Sequence, residues 1–179
     1  FPNRLGIAPM EGADSLPDGS PSAYTIRRYV NEAIGGSAVI WFEAISIVEE
    51  GRSSKTQLFL NKDNLEQYKA FTAKIKDAGM KANGYAPYLI MQANHSGRYS
   101  NPDNKPAPMI AYRHPELEKY READDSCIVS DDYLKHLEEK FGEAAKLSKE
   151  AGFDAIDIKS CHGYLLAELS SAYTRSGMY

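Results

Sequence analysis

Cysteine is scarce in this sequence. Cys127 and Cys161 are the only two, and neither sits in a C-x-x-C spacing. A disulfide-stapled secreted scaffold is therefore excluded, and a reducing compartment is the simplest setting. Long apolar runs are missing as well; none approaches the ~20 residues that a membrane-spanning helix needs. There is no block of basic residues. Lys and Arg number 21 against 25 Asp and Glu, a net charge of −4, which argues against binding nucleic acid or an anionic membrane. The histidines His95, His114, His136 and His162 show no His-x-x-x-His spacing, so no metal is expected. No Gly-x-Gly-x-x-Gly follows the first apolar run, and no Gly-Lys-Ser/Thr loop occurs. Both absences weigh against the open nucleotide-binding sheet and the phosphate loop. No secretory segment precedes the first strand-like run, so a cytoplasmic location is expected.

What is present alternates. With 179 residues and 42% hydrophobic content, the chain can bury a sizeable core as one domain. Leu5 to Ala8 reads as a strand closed by Pro9. A helical pattern from Tyr24 to Ile34 ends at Gly35-Gly36, and the continuous apolar run Ala38 to Phe42 suits a strand buried on both faces. Asp63 and Glu66 predict a capping-box start for a second helix, which Gly79 would stop. Ala86 to Met91 reads as a third strand, with Pro87 at its first residues. A polar, proline-interrupted connection then runs from Tyr99 to Val129. A loop of that length is expected to be functional, covering the substrate side. Ser130 caps a third helix whose buried face carries Leu134, Leu137, Phe141 and Ala144; Gly152 ends it, and Ala155 to Ile158 is the fourth strand.

Strand–helix alternation predicts right-handed βαβ units and a parallel sheet. Spacing alone leaves an open doubly wound sheet and a closed (β/α)8 barrel both possible. In either, ligands bind beyond the carboxyl ends of the strands. The residues to watch are Pro9, Met10 and Glu11, then Glu43 and Ala44, then Gln92 to Arg98, and finally Lys159 to Tyr164. The last group is the densest. Among Lys159, His162 and Tyr164, one group can donate to a carbonyl or phenolate oxygen and another can pass a proton. The bland alternative makes Lys159 a surface residue, His162 a satisfied turn and Tyr164 core, with His95 and Arg98 anchoring a loop and Cys161 a small buried filler.

At these residues the sequence resembles the old yellow enzyme family of FMN-dependent NAD(P)H oxidoreductases. The matching segments are Asn3-Arg4-Leu5-Gly6-Ile7-Ala8-Pro9-Met10; Gly35-Gly36 with Glu43-Ala44; Gln92 to Arg98 as Q-x-x-H-x-G-R; and Ala151 to Asp154 followed by His162 to Leu166, Thr174-Arg175 and Tyr179. The resemblance implies a (β/α)8 TIM barrel of which residues 1–179 form the N-terminal half, about four βα units. The chain opens at Phe1 without Met and stops just after a motif, and it is read as a piece of something longer. Carried over by position, Ala8, Pro9, Met10, Glu11 and Ala44 would line FMN, and Gln92 would hydrogen-bond the pyrimidine edge of its ring. Lys159 and His162 would hold the substrate oxygen, and Tyr164 would deliver a proton. The implied reaction moves a hydride from NADH or NADPH through FMN to an activated alkene. A small-molecule substrate and a homo-oligomer of the full-length protein are expected; an iron–sulfur cluster, if the protein carries one, would lie beyond residue 179.

Two positions depart from the family pattern. Lys159 stands where family members usually carry His. A compact cation with no acceptor suits a carboxylate or enolate better than neutral imidazole does. Glu11 stands where a small Thr or Cys is usual; an ionised carboxylate there would lower a flavin's potential, unless the side chain turns away. These departures leave open a flavin-dependent amine dehydrogenase or demethylase on the same scaffold. They also leave open a Schiff-base lyase using Lys159 as nucleophile, and a non-catalytic carrier.

Overall fold

The computed structural model describes residues 1–179. Four strands, Gly6–Ile7 (β1), Val39–Ser46 (β2), Tyr88–Asn94 (β3) and Ala155–Ile158 (β4), form one parallel sheet in the order β1-β2-β3-β4. Three long helices, Ala23–Ile34 (α1), Leu65–Asn83 (α2) and Asp131–Glu150 (α4), connect them; Pro115–Glu118 (α3) and Leu165–Leu169 (α5) are short. A doubly wound sheet reverses strand order at a switch point. Here the order is strictly sequential, and α1 packs on α2 and α2 on α4. Helices that follow one another around one face of a sequential parallel sheet are the wall of a barrel, and this settles between the two candidate architectures.

The core lies between that helix layer and the sheet's outer face. Alternate strand residues point there: Ile40, Phe42, Leu89, Met91 and Ala93 are all fully buried. The Tyr29 ring of α1 stacks on Phe42 at 4.1 Å, and Phe71 of α2 and Phe153 meet the same ring edge-on at 5.7 and 4.8 Å. Aromatic pairs in these geometries add to area burial.

Several boundaries differ from the sequence pattern. β2 and β3 run on through Ser46 and Asn94, so Glu43, Ala44 and Gln92 lie inside strands. Pro87 precedes β3, and β1 is only two residues long. The Asp63–Glu66 capping box does not form. Asn64 takes the N-cap without capping through its side chain, which instead accepts from the Asn61 amide and donates to the Phe59 carbonyl. Gly79 does not stop α2. It lies inside the helix, where a Cβ would stand 2.6 Å from Cδ of Pro87, so the position serves a close approach rather than a stop. Gly84, left-handed at φ 79°, is the true C-cap. Ser130 does cap α4, accepting from the Tyr133 amide, and Gly152 is left-handed just past its end.

The Tyr99–Val129 connection is not a featureless loop. Ile110, Ala111 and Tyr112 are buried in it. Arg98 and Glu168, both within a few per cent of full burial, pair at 2.5 Å. Arg98 also donates to the Tyr112 carbonyl, and Glu168 accepts from the Ala111 amide. An ion pair so buried needs such extra bonds to offset desolvation.

Candidate active site

The carboxyl ends of all four strands open on the same side of the sheet, and Lys159, His162 and Tyr164 gather beyond the last of them. Ala44 is the register partner of Gln92, and Gln92 that of Asp157. Gln92 is 5% exposed, and its Nε2 donates to Oδ2 of Asp157 at 2.8 Å. Its Oε1 accepts no hydrogen bond from the protein. The Ala44 carbonyl accepts from Nε2 of the buried Gln57 at 3.0 Å.

β4 ends at Ile158, and the next turn is made by His162 and Gly163, left-handed at φ 61° and 65°. Such a backbone is uncommon outside glycine, histidine being among the side chains that tolerate it best, and the turn is followed directly by Tyr164. The Lys159 Nζ lies 4.5 Å from the centroid of the Tyr164 ring, a cation–π distance. The His162 ring stands edge-on to Tyr164 at 6.2 Å, and Tyr99 lies 5.7 Å away on a tilt. Lys159 is buried rather than a surface residue. Burial lowers the affinity of its amine for a proton, against which the nearby Cys161, Glu11 and Asp157 work in the other direction. Burial, the Glu11 charge and Tyr99 together push the Tyr164 hydroxyl up to about 12. Cys161 is exposed, not a buried filler.

The β1 side is built around Glu43, which is 1% exposed. It accepts from Arg28 at 2.7 Å, from the Tyr29 hydroxyl at 3.1 Å and from the Gly12 amide at 2.9 Å. The segment after β1 is thereby tied to β2. Pro9 is half-buried and Ala8 exposed on that segment, and the Met10 side chain is 78% exposed. Glu11 accepts from the Ser53 hydroxyl; burial raises its carboxyl above the usual range, and the Glu43 charge adds to this. His95 and Arg98 do anchor structure. His95 accepts from the Gly97 amide and reaches the Tyr133 hydroxyl at 2.9 Å.

Sequence reasoning missed Asp157, Ser53 and Gln57. Asp157 carried a signal: an acidic residue inside an apolar strand, two before Lys159 on the same face. Ser53 and Gln57 lie in a loop and offered none.

The set of groups fits a planar heterocycle edged with alternating carbonyl and N–H groups, because Gln92 presents a buried amide acceptor at the mouth of the sheet. A family model for the NADH:flavin oxidoreductase / NADH oxidase family matches residues 1–176. The chain is 29% identical over 171 residues to the NADPH dehydrogenase of Bacillus velezensis and 30% over 172 residues to that of Bacillus pumilus. In both cases 94% of this chain and 47% of the relative are covered. The chain spans about half the length of the curated relatives it matches. Among solved structures, Old Yellow Enzyme from a Pichia species gives a TM-score of 0.73 at 21% identity, over 92% of this chain and 44% of that one. A morphinone reductase variant in complex with tetrahydroNAD gives 0.73 at 19%, over 92% and 47%. At such identities the likeness speaks to the fold, and the fold is half a TIM barrel.

Proposed function

The chain belongs to the NADH:flavin oxidoreductase / NADH oxidase family, and on that premise we propose that it serves an FMN-dependent reduction of an activated alkene at the expense of NADPH or NADH. The observation that carries this reading is one convergence: a buried amide with a free acceptor on β3, one strand away from the Lys159–Tyr164–His162 group beyond β4. FMN, when bound, supplies the hydride transfer. Everything else falls to side chains. Gln92 orients the ring edge, with the backbone of Ala8, Pro9, Met10 and Ala44 beside it. Lys159 and His162 hold the substrate oxygen and polarise it. Tyr164, whose hydroxyl stays protonated far above neutral pH, delivers a proton to the carbon next to that oxygen-bearing group.

The cation at 159 selects the substrate. Lys159 gives an oxyanion or carboxylate a charge partner that neutral imidazole lacks. Substitution Lys159→His is expected to shift preference from unsaturated acids toward ketones. Unchanged relative kcat/KM for the two classes would remove Lys159 from that role.

The test of the whole reading is a visible absorption spectrum of the purified protein after FMN addition, then anaerobic titration with NADPH and NADH. A flavin band bleached by a nicotinamide is the expected result. Flavin that neither nicotinamide reduces, but an amine does, would support an amine dehydrogenase instead. One observation favours a third reading: Lys159 is buried and less basic than an ordinary lysine, as a Schiff-base nucleophile must be. Borohydride trapping of a carbonyl compound on Lys159, with no flavin bound, would establish that reading and overturn ours.

A further inference from the structure

We propose that Asp157 is a positioning residue that locks the Gln92 amide in one of its two orientations, so that the site meets its cofactor with a hydrogen-bond acceptor. The inference rests on the flavin reading above for its consequence, though not for its geometry. Gln92 and Asp157 are register partners on adjacent strands, and the Gln92 Nε2 lies 2.8 Å from Oδ2 of Asp157. An ionised carboxylate can only accept. The amide must therefore turn its NH2 toward Asp157 and its oxygen the other way. Gln92 is 5% exposed, and the flipped amide would set its oxygen against a carboxylate oxygen at hydrogen-bond distance. Of a ring edge that alternates carbonyl and N–H, an outward acceptor selects the N–H.

Asp157 does a second thing from the same place. It lies two residues before Lys159 and hence on the same face of β4. The groups around the Lys159 amine are Asp157 near the end of β4, Cys161 in the turn beyond, Glu11 from the segment after β1, and the Tyr164 ring. Asp157 thus touches the amide that would meet the cofactor and acts on the ammonium that would meet the substrate. Asparagine at this position keeps the shape but can donate as well as accept, so both orientations of Gln92 become available.

The decisive probe is a flavin methylated at N3, which has lost the N–H that an acceptor reads. The protein is expected to bind FMN at least about tenfold more tightly than N3-methyl-FMN, the loss of roughly one hydrogen bond. In Asp157→Asn that ratio should collapse toward unity, because a flipped amide tolerates the methylated edge. A merely structural defect would weaken both flavins together and leave the ratio standing, and that result overturns the proposal. A second measurement needs no flavin. Exchange of the Gln92 side-chain amide protons, followed by NMR in the flavin-free protein, should be about tenfold faster in Asp157→Asn. If the parent protein binds neither flavin, the flavin reading falls, and the exchange rates alone then decide for or against Asp157.

Discussion

The two faces of the sheet are built on opposite plans. The outer face, under α1, α2 and α4, is apolar, stacked and dry: Ile40, Phe42, Leu89 and Met91 are at 0% exposure. The inner face carries Trp41 and Tyr88, each 37% exposed, and ends in Gln92, Asp157 and Lys159. On the outer face the apolar side chains pack into one buried cluster. On the inner face the amide of Gln92 has one end free, and Lys159 rests on a ring rather than on a salt bridge. Period-2 alternation places both plans on the same strands. Stability and chemistry are therefore separable by substitution, residue by adjacent residue.

The sharpest break in that comparison is expected from Phe42→Ala. It removes the ring on which Tyr29, Phe71 and Phe153 all pack and should cost about 3–5 kcal/mol, read as a fall in the urea midpoint. On the inner side, Tyr164→Phe should leave that midpoint within about 0.5 kcal/mol. If the proposed reaction holds, it should slow reduction of the alkene by ~10²–10⁴, with flavin reduction by NADPH unaffected. A loss in both half-reactions would assign Tyr164 to cofactor binding instead.

His95 tests the border between the faces. Burial holds its imidazole down at about 4, against 6.5 for the free group. Between those values the unfolded chain binds the extra proton and the folded one does not. Stability from this group is complete above pH 6.5 and declines as pH falls toward 4, by at most about 1.4 kcal/mol per pH unit. Urea titrations at stepped pH should show that slope, and His95→Gln should flatten it.

The smallest effects come from two glycines of α2. Gly79→Ala drives a methyl against the Pro87 ring and should cost about 1–3 kcal/mol. Gly84→Ala meets no neighbour within 4 Å but must hold φ at 79°, which should cost about 1–2 kcal/mol. Equal and negligible effects at the two sites would refute the distinction between packing glycine and capping glycine.

Those glycines also show how far the sequence could be read. The helix of Leu65 onward was legible from its apolar spacing, but its end was not, since a glycine stops a helix or fills a tight contact depending on what packs against it. The Asp63–Glu66 pair has the right spacing for a capping box, and Asn64 with its loop partners displaced it. Lys159, His162 and Tyr164 could be picked out because ionisable residues cluster after an apolar strand. Ser53 and Gln57, brought in by a loop to Glu11 and Ala44, could not.

Local pattern alone determined that strands alternate with helices, that the strands are parallel, and where ionisable residues cluster past the strand ends. Those properties follow from periodicity and from the residues that start and stop helices, and both act over a few positions. Only the tertiary structure decided that the strands follow one another in order around a curve, that Asp157 faces Gln92, and that Lys159 lies over Tyr164. Register between strands and the burial that tunes each group arise from contacts between distant segments, and no short stretch of sequence encodes them.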